Sequence, residues 1–253
     1  MENAYLTGYI SVSAALISES RRVYRVFLDA DRYEKVKKSR FHLPEKQQYA
    51  FLKSYCAANK IRIFFLAQGE LAERFGTESG GIAAEVGGRL FTPLAELLAF
   101  KNPYLVAIDG IEDPYNFGQV LRSFYAAGVD GVVVPSRNFF TASAIVARAS
   151  AGASERLKIS AVDSMEDFCK NAAEKGIRLY ATTSKKDAAD LYKTEFSRPL
   201  CVFFGGEKRG ISAKILELCG RSVTISYPRS TEIALSASSA AAVAAFEIGR
   251  RIN

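Results

Sequence analysis

Five short apolar runs in the second half of the chain restrict its fold more than any other feature: Tyr104 to Ile108, Gly131 to Val134, Arg178 to Thr182, Leu200 to Phe204 and Val223 to Ile225. Each is separated from the next by helix-capable sequence. Strands that follow one another in this way pair in parallel, and their crossover helices cover both faces of the sheet. The pattern therefore predicts an α/β region with a mostly parallel sheet. The alanine-rich stretch Ser236 to Arg251 reads as its closing helix, with capping-competent serines at the start and Arg250-Arg251 at the negative end of the helix dipole.

The first part of the chain is smaller and less regular. Tyr24 to Leu28 and Ile61 to Leu66 are β-branched and aromatic runs that read as strands. Between them Pro44 opens a helix on which Tyr49, Leu52 and Cys56 recur at helical spacing. Gly76 to Gly81 marks a loop before a short strand, Ile82 to Val86. The segment Arg89 to Lys101, with Pro93 opening a helix, connects the halves. The expected organisation is a small α/β domain over residues 1–88, a linker over 89–102 and a larger α/β domain over 103–253.

Composition removes several function classes. No long uncharged apolar run suggests a membrane span, and Met1-Glu2-Asn3 has no secretory character, so a cytoplasmic protein is expected. Cys56, Cys169, Cys201 and Cys219 are widely spaced and read as free thiols, with no metal site expected. His42 is the only histidine, which excludes a His dyad or a multi-His metal site. The net charge of +7 favours a polyanionic partner, since Lys and Arg gain free energy by releasing phosphate counterions. That charge is spread along the chain apart from Arg21-Arg22, Lys35 to Arg40 and Lys208-Arg209.

Three segments carry the chemistry. In Asp109 to Val129 a strand runs into a Pro-bearing turn, Asn116 is a candidate helix cap, and Arg122 lies about 1.7 turns further on. By spacing alone a cap and a solvated arginine explain both residues. In Phe203 to Ser212, glycines directly follow a buried strand, where they let a ligand approach the backbone, and Ser212 is placed to cap the next helix. A tight strand-to-helix turn with Glu207 exposed would need the same glycines. The third segment joins Ile225-Ser226-Tyr227-Pro228, a loop over Arg229 to Ile233, and Ala234-Leu235-Ser236 leading into the alanine-rich helix. Small residues allow close packing, and hydroxyls at a helix start satisfy orphan backbone donors or reach a ligand.

Taken in this order, the three segments resemble the signature motifs of the SpoU family (TrmH-like) within the SPOUT methyltransferases. The resemblance spans Tyr104 to the C-terminus. Gly8 through Val86 resembles, less specifically, the small RNA-recognition domain that many members carry, with Ser79-Gly80-Gly81-Ile82-Ala83 where relatives often have a His-Gln-Gly stretch. The resemblance implies a SPOUT-type α/β fold whose C-terminal segment forms a trefoil knot, S-adenosyl-L-methionine as cofactor, and an RNA substrate, ribosomal or transfer RNA. By matching positions, Gly205, Ile225 and Leu235 would approach the cofactor, with Thr182 as a further contact.

The same resemblance puts Asn116, Arg122, Glu207 and Ser236 in the catalytic region. A ribose 2′-hydroxyl must lose its proton as it attacks a sulfonium methyl, so the developing oxyanion needs stabilising. A guanidinium suits that task with its fixed fork of donors, whereas its pKa above about 12 makes it a poor base. Arg122 is therefore expected to orient and stabilise, Asn116 to hold Arg122 or the ribose, and Glu207 to fix the motif loops. The chain departs from the family pattern where Ala234-Leu235-Ser236 replaces the common Ser-Leu-Asn and Ile225-Ser226-Tyr227 replaces Ile-Pro-Met. Ser236 lacks the amide fork of Asn.

Family resemblance also implies a homodimer in which the arginine of one subunit serves the site of the other. Two other classes compete: a non-catalytic RNA-binding protein that retains the fold, and a nucleotide-dependent oxidoreductase. The oxidoreductase is disfavoured because no Gly-x-Gly-x-x-Gly follows an early strand and no phosphate loop occurs. Tyr5, Tyr9, Phe41, Phe139 and Phe140 are loose candidates for base stacking.

Overall fold

The computed structural model describes residues 4–136, 143–185, 187–206, 209–229 and 234–252. The chain divides into two units, Met1–Leu90 with Ala142–Arg156, and Phe91–Thr141 with Leu157–Asn253. Glu207, Phe139 and Phe140 lie outside the described residues.

The first unit begins with β1 (Ala4–Thr7), α1 (Tyr9–Ser18), β2 (Arg21–Asp29) and α2 (Ala30–Lys38). It continues through α3 (Pro44–Ala58), β3 (Arg62–Leu66), α4 (Gln68–Phe75) and β4 (Ile82–Arg89). Its sheet has the order β1-β4-β2-β3, antiparallel except for the parallel β2–β3 pair. Helix α3 buries Tyr49, Leu52 and Cys56, the stripe read from the sequence, against Val26, Leu28 and Ala84.

The chain enters the second unit with α5 (Leu94–Leu98), β5 (Tyr104–Asp109), α6 (Pro114–Ala126) and β6 (Gly131–Pro135). It then returns to the first unit as α7 (Ser143–Ala149) and α8 (Ala153–Arg156). The sequence division left this return in the larger domain, and it assigned residues 89–102 to a linker. In the structure α5 belongs to the second unit, with Leu97 fully buried in its core. The return is held by a buried charge. Glu155 accepts hydrogen bonds from Arg21 Nε (2.8 Å), Ser20 Oγ (2.6 Å) and Arg89 Nη1 (3.4 Å). A buried carboxylate is tolerable only with such partners, and these come from β2, the residue just before it and β4 of the first unit.

The second unit closes with β7 (Lys158–Val162), α9 (Met165–Glu174), β8 (Arg178–Thr182), β9 (Ala189–Asp190), β10 (Leu200–Gly205), α10 (Ala213–Cys219), β11 (Ser222–Thr224) and α11 (Ala237–Ile252). Its seven strands run in the order β7-β6-β5-β10-β8-β11-β9, every described pair parallel. This is the α/β architecture read from the five runs, with two strands added. Both additions, β7 and β9, lie at the edges of the sheet, where one flank is open and polar residues such as Lys158 and Asp190 are accommodated.

The caps show where local reading succeeded. Ser212 caps α10 as expected, accepting from the Ile215 N–H at 3.3 Å. Helix α6 is capped by Asp113 and not by Asn116: Asp113 Oδ1 accepts from the Asn116 N–H at 2.8 Å. Pro114 at the first helical position sets φ for the helix, so the residue before it becomes the cap.

Candidate functional site

In a parallel sheet, the strand ends at the carboxyl edge leave backbone groups without ladder partners, and ligands collect there. The β10–β8 pairing stops at Phe203↔Ala181, so β10 runs on past its neighbour through Phe204 and Gly205. A cavity of about 860 Å³ opens at this edge. One wall is the stretch after β8, Thr182 to Lys185; another is Phe204 to Gly206 with Arg209 and Gly210; the rest comes from Ile225, Tyr227, Ala234, Leu235 and the first turns of α11. Thr182, Gly205, Ile225 and Leu235 all line it.

The glycines of this region are required by the protein's own backbone. A Cβ on Gly205 would lie 2.5 Å from the Gly210 carbonyl carbon, and one on Gly206 would lie 1.9 Å from the Gly110 oxygen. The Gly206 N–H donates to the Asp109 carbonyl at 3.0 Å, and the Gly210 N–H donates to the Gly206 carbonyl at 2.9 Å. The loops after β5 and β10 are thus stitched together. The sequence offered close approach of a ligand and a tight strand-to-helix turn as reasons for these glycines; the contact with the loop after β5 was in neither.

Thr182, which lines the cavity, donates its hydroxyl proton to the Phe203 carbonyl at 3.0 Å, so its oxygen remains available only as an acceptor. The hydroxyl of Tyr227 accepts from the Leu235 N–H at 3.2 Å. The lining combines apolar Ile225, Leu235, Ala241 and Ala244, suited to an apolar ring system, with exposed Lys185 and Arg209, suited to an anionic group. Lys185 was absent from the sequence reading, and Arg209 entered it only as part of a charge cluster. No local pattern marks a lysine in a loop.

Of the expected catalytic residues, Arg122, Asn116 and Ser236 do not line the cavity, and Glu207 lies outside the described residues. Arg122 is exposed on α6 and, among the described residues, has no ion-pair partner. Asn116 is half-buried on the first turn of the same unbroken helix, and a separation of six residues sets the two roughly 240° apart around it. Within one chain Asn116 does not hold Arg122. Ser236 caps α11, accepting from the Ser239 N–H at 3.2 Å, and lies between the cavity residues Leu235 and Ala237 without lining the cavity itself. Among the described residues, no group of three or more His, Cys, Asp or Glu side chains could hold a metal ion. No described helix is long and apolar enough to cross a membrane.

Residues 103–246 match the SpoU rRNA Methylase family. The chain is 32% identical over 179 residues to the 23S rRNA (guanosine-2′-O-)-methyltransferase RlmB of Shewanella oneidensis, covering 69% of this chain and 72% of that protein. It is 27% identical to the RlmB of Ralstonia nicotianae over 97% of this chain and 95% of the relative. In several other relatives the match spans about half their length. The SpoU methyltransferase AviRb from Streptomyces viridochromogenes, in complex with the cofactor AdoMet, has a similar fold, with a TM-score of 0.76 and 20% identity over 98% of this chain and 90% of that one.

Proposed function

Because the chain belongs to the SpoU rRNA methylase family, we propose that it transfers the methyl group of S-adenosyl-L-methionine to a ribose 2′-hydroxyl of ribosomal or transfer RNA. The observation that carries this reading is the meeting of Thr182, Gly205, Ile225 and Leu235 in one cavity at the carboxyl edge of the parallel sheet. The residues present fit the cofactor. The cavity is within the usual size for a small-molecule site, with apolar walls for a purine, strand-end backbone groups for its edge, and Lys185 and Arg209 for a carboxylate. When bound there, the sulfonium supplies an electrophilic methyl carbon.

Gly205, Ile225 and Leu235 hold the cofactor through backbone groups, and Thr182 offers its oxygen. Arg122 orients the ribose and its neighbouring phosphate and stabilises the alkoxide as the 2′-proton leaves, with substrate phosphate assisting removal of that proton. Asn116 positions the ribose. Ser236 keeps the start of α11 in place beside the cofactor, and Glu207 fixes the motif loops. The exposed position of Arg122, away from the cavity of its own chain, supports a homodimer in which it serves the partner's site. The joined loops after β5 and β10, with Ile225, Tyr227, Ala234 and Leu235 lining the same cavity as Gly205 and Gly206, support a trefoil knot. Four free buried cysteines suit work in the cytoplasm.

Ala234 favours one second reading, a non-catalytic RNA-binding protein, because it lines the cavity with a methyl group where relatives commonly carry serine. The readings separate by mapping 2′-O-methylation across cellular RNA with and without the gene, and by calorimetry with S-adenosyl-L-methionine. The enzyme reading expects at least one position to lose its methyl group in the absence of the gene. An unchanged map, with no binding at millimolar cofactor, would remove it.

A further inference from the structure

The sheet of the first unit has two faces of different character. Leu6, Val26, Leu28, Ala84 and Val86 point into the core. Strand alternation then sends Tyr5 of β1, Glu85 of β4, Arg25 and Phe27 of β2, and Arg62 and Phe64 of β3 to the opposite face, where the register sets Tyr5 and Arg25 against Glu85, Arg25 against Arg62 and Phe27 against Phe64. Helix α4 covers one end of this face, packing Leu71 and Phe75 on Phe27 and Ala83. The other end is open except over Glu85, which is buried, and the Tyr5 ring lies 5.1 Å from that of Phe75.

Tyr24 joins the open end through a β-bulge. The register jumps from Val23↔Val86 to Arg25↔Glu85, leaving Tyr24 as the extra residue. A Cβ on Gly87 would lie 3.0 Å from the Tyr24 hydroxyl, which puts that ring on the Glu85 side. Tyr5, Tyr24 and Phe64 are 42%, 41% and 37% exposed, rings that a core would have buried. The guanidinium of Arg22 lies over the Tyr24 ring, 5.5 Å from its centroid.

Charge supplies an independent observation. Arg25 and Arg62 sit opposite one another on neighbouring strands, a like-charge pair that disfavours the sheet. Glu85 pairs with Arg25, and half of the Arg25 side chain remains exposed. Among the described residues, neither Arg22 nor Arg62 has a carboxylate partner. The rings stand on strands up to three spacings apart, about 14 Å, with guanidiniums among them. Exposed rings separated by guanidiniums, of which Arg22 and Arg62 have no carboxylate partner among the described residues, match a chain of flat bases linked by phosphates. A protein partner would call for a contiguous apolar patch.

We infer that this open face is a stacking platform for an unpaired stretch of RNA, with bases on Tyr5, Tyr24 and Phe64 and phosphates on Arg22, Arg25 and Arg62. The inference rests on the proposal that RNA is the substrate and adds where, and in which form, RNA is held.

The test uses the full chain and a labelled, unstructured oligoribonucleotide, with a blunt duplex of equal length as competitor. Tyr5→Ala and Tyr24→Ala each weaken single-strand binding about tenfold. Tyr5→Phe and Tyr24→Phe bind like the parent, because the ring is what stacks. Arg62→Gln, an exposed change, lowers affinity and flattens its salt dependence even if a ring-deleted variant folds poorly. Cofactor affinity stays unchanged throughout. Full single-strand binding by the ring-deleted or Arg62→Gln proteins, or equal preference for duplex, overturns the platform. Its failure is distinguishable from failure of the proposed function: loss of every methylation activity with intact oligonucleotide binding sinks the enzyme and leaves the platform standing.

Discussion

The phenol of Tyr227 accepts a hydrogen bond from the backbone N–H of Leu235 at 3.2 Å, tying the exit of β11 to the entry of α11. Both residues line the same cavity, so the contact acts as a latch on its wall. A net hydrogen bond of about 1 kcal/mol corresponds to roughly fivefold in affinity. Tyr227→Phe is therefore expected to bind S-adenosyl-L-methionine about fivefold more weakly in calorimetry while melting at the parent temperature. Unchanged affinity would show that the latch plays no part in holding the cofactor.

Gly206→Ala tests the stitching of the two loops. Its Cβ would meet the Gly110 carbonyl oxygen at 1.9 Å, a backbone clash that no side-chain rotation relieves. The variant should lose about 3 kcal/mol or more in denaturant unfolding and lose cofactor binding with it. Parent-like stability would mean that the loops after β5 and β10 are not in contact in solution.

Arg122→Ala should abolish methylation, a loss of at least about a hundredfold, while cofactor affinity stays nearly constant, because the side chain is exposed outside the cavity. Mixing this variant with one defective in cofactor binding should restore part of the activity if the arginine works across a dimer. Mixtures as inactive as their components would confine Arg122 to its own chain.

Glu155 makes the first unit sensitive to acid. Burial pushes its carboxyl pKa up, but hydrogen bonding and charge from Arg21, the charge of Arg89 and the Ser20 hydroxyl together outweigh burial and hold it below the usual range. A depressed folded-state pKa contributes stability that is present above the unfolded value, about 4.3, and is lost as pH falls through the folded value. Glu155→Gln should cost about 3 kcal/mol near neutral pH. The gap from the parent should narrow as pH drops below about 4, measured by denaturant melts at several pH values. A gap independent of pH would show that the carboxylate charge is not what holds α8.

Particular residues show how far reading along the chain reaches. Runs such as Leu105 to Ile108 and Val202 to Phe204 lie buried in central strands, and their composition alone announces the parallel sheet. Pro114 announces a helix start, although the cap falls on Asp113. Edge strands β7 and β9 stayed hidden because an open flank tolerates the same polar residues as a loop. On this face the sequence marked Tyr5 as a stacking candidate and Arg22 within a charge cluster; Tyr24 and Phe64 were legible only as members of strands, and their exposure came from the alternation and the bulge.

The order of residues was sufficient for the fold class, the family and the identity of four cavity residues. Folding alone revealed that Glu155 is held by an arginine 134 positions away, that Gly206 makes room for Gly110, and that Arg122 does not line the cavity of its own chain. Helix and strand preferences arise from near neighbours along the backbone and can be read there. Which strand ends meet, and which charge is buried beside which, follows from the packing of distant segments, for which a linear pattern carries no coordinate.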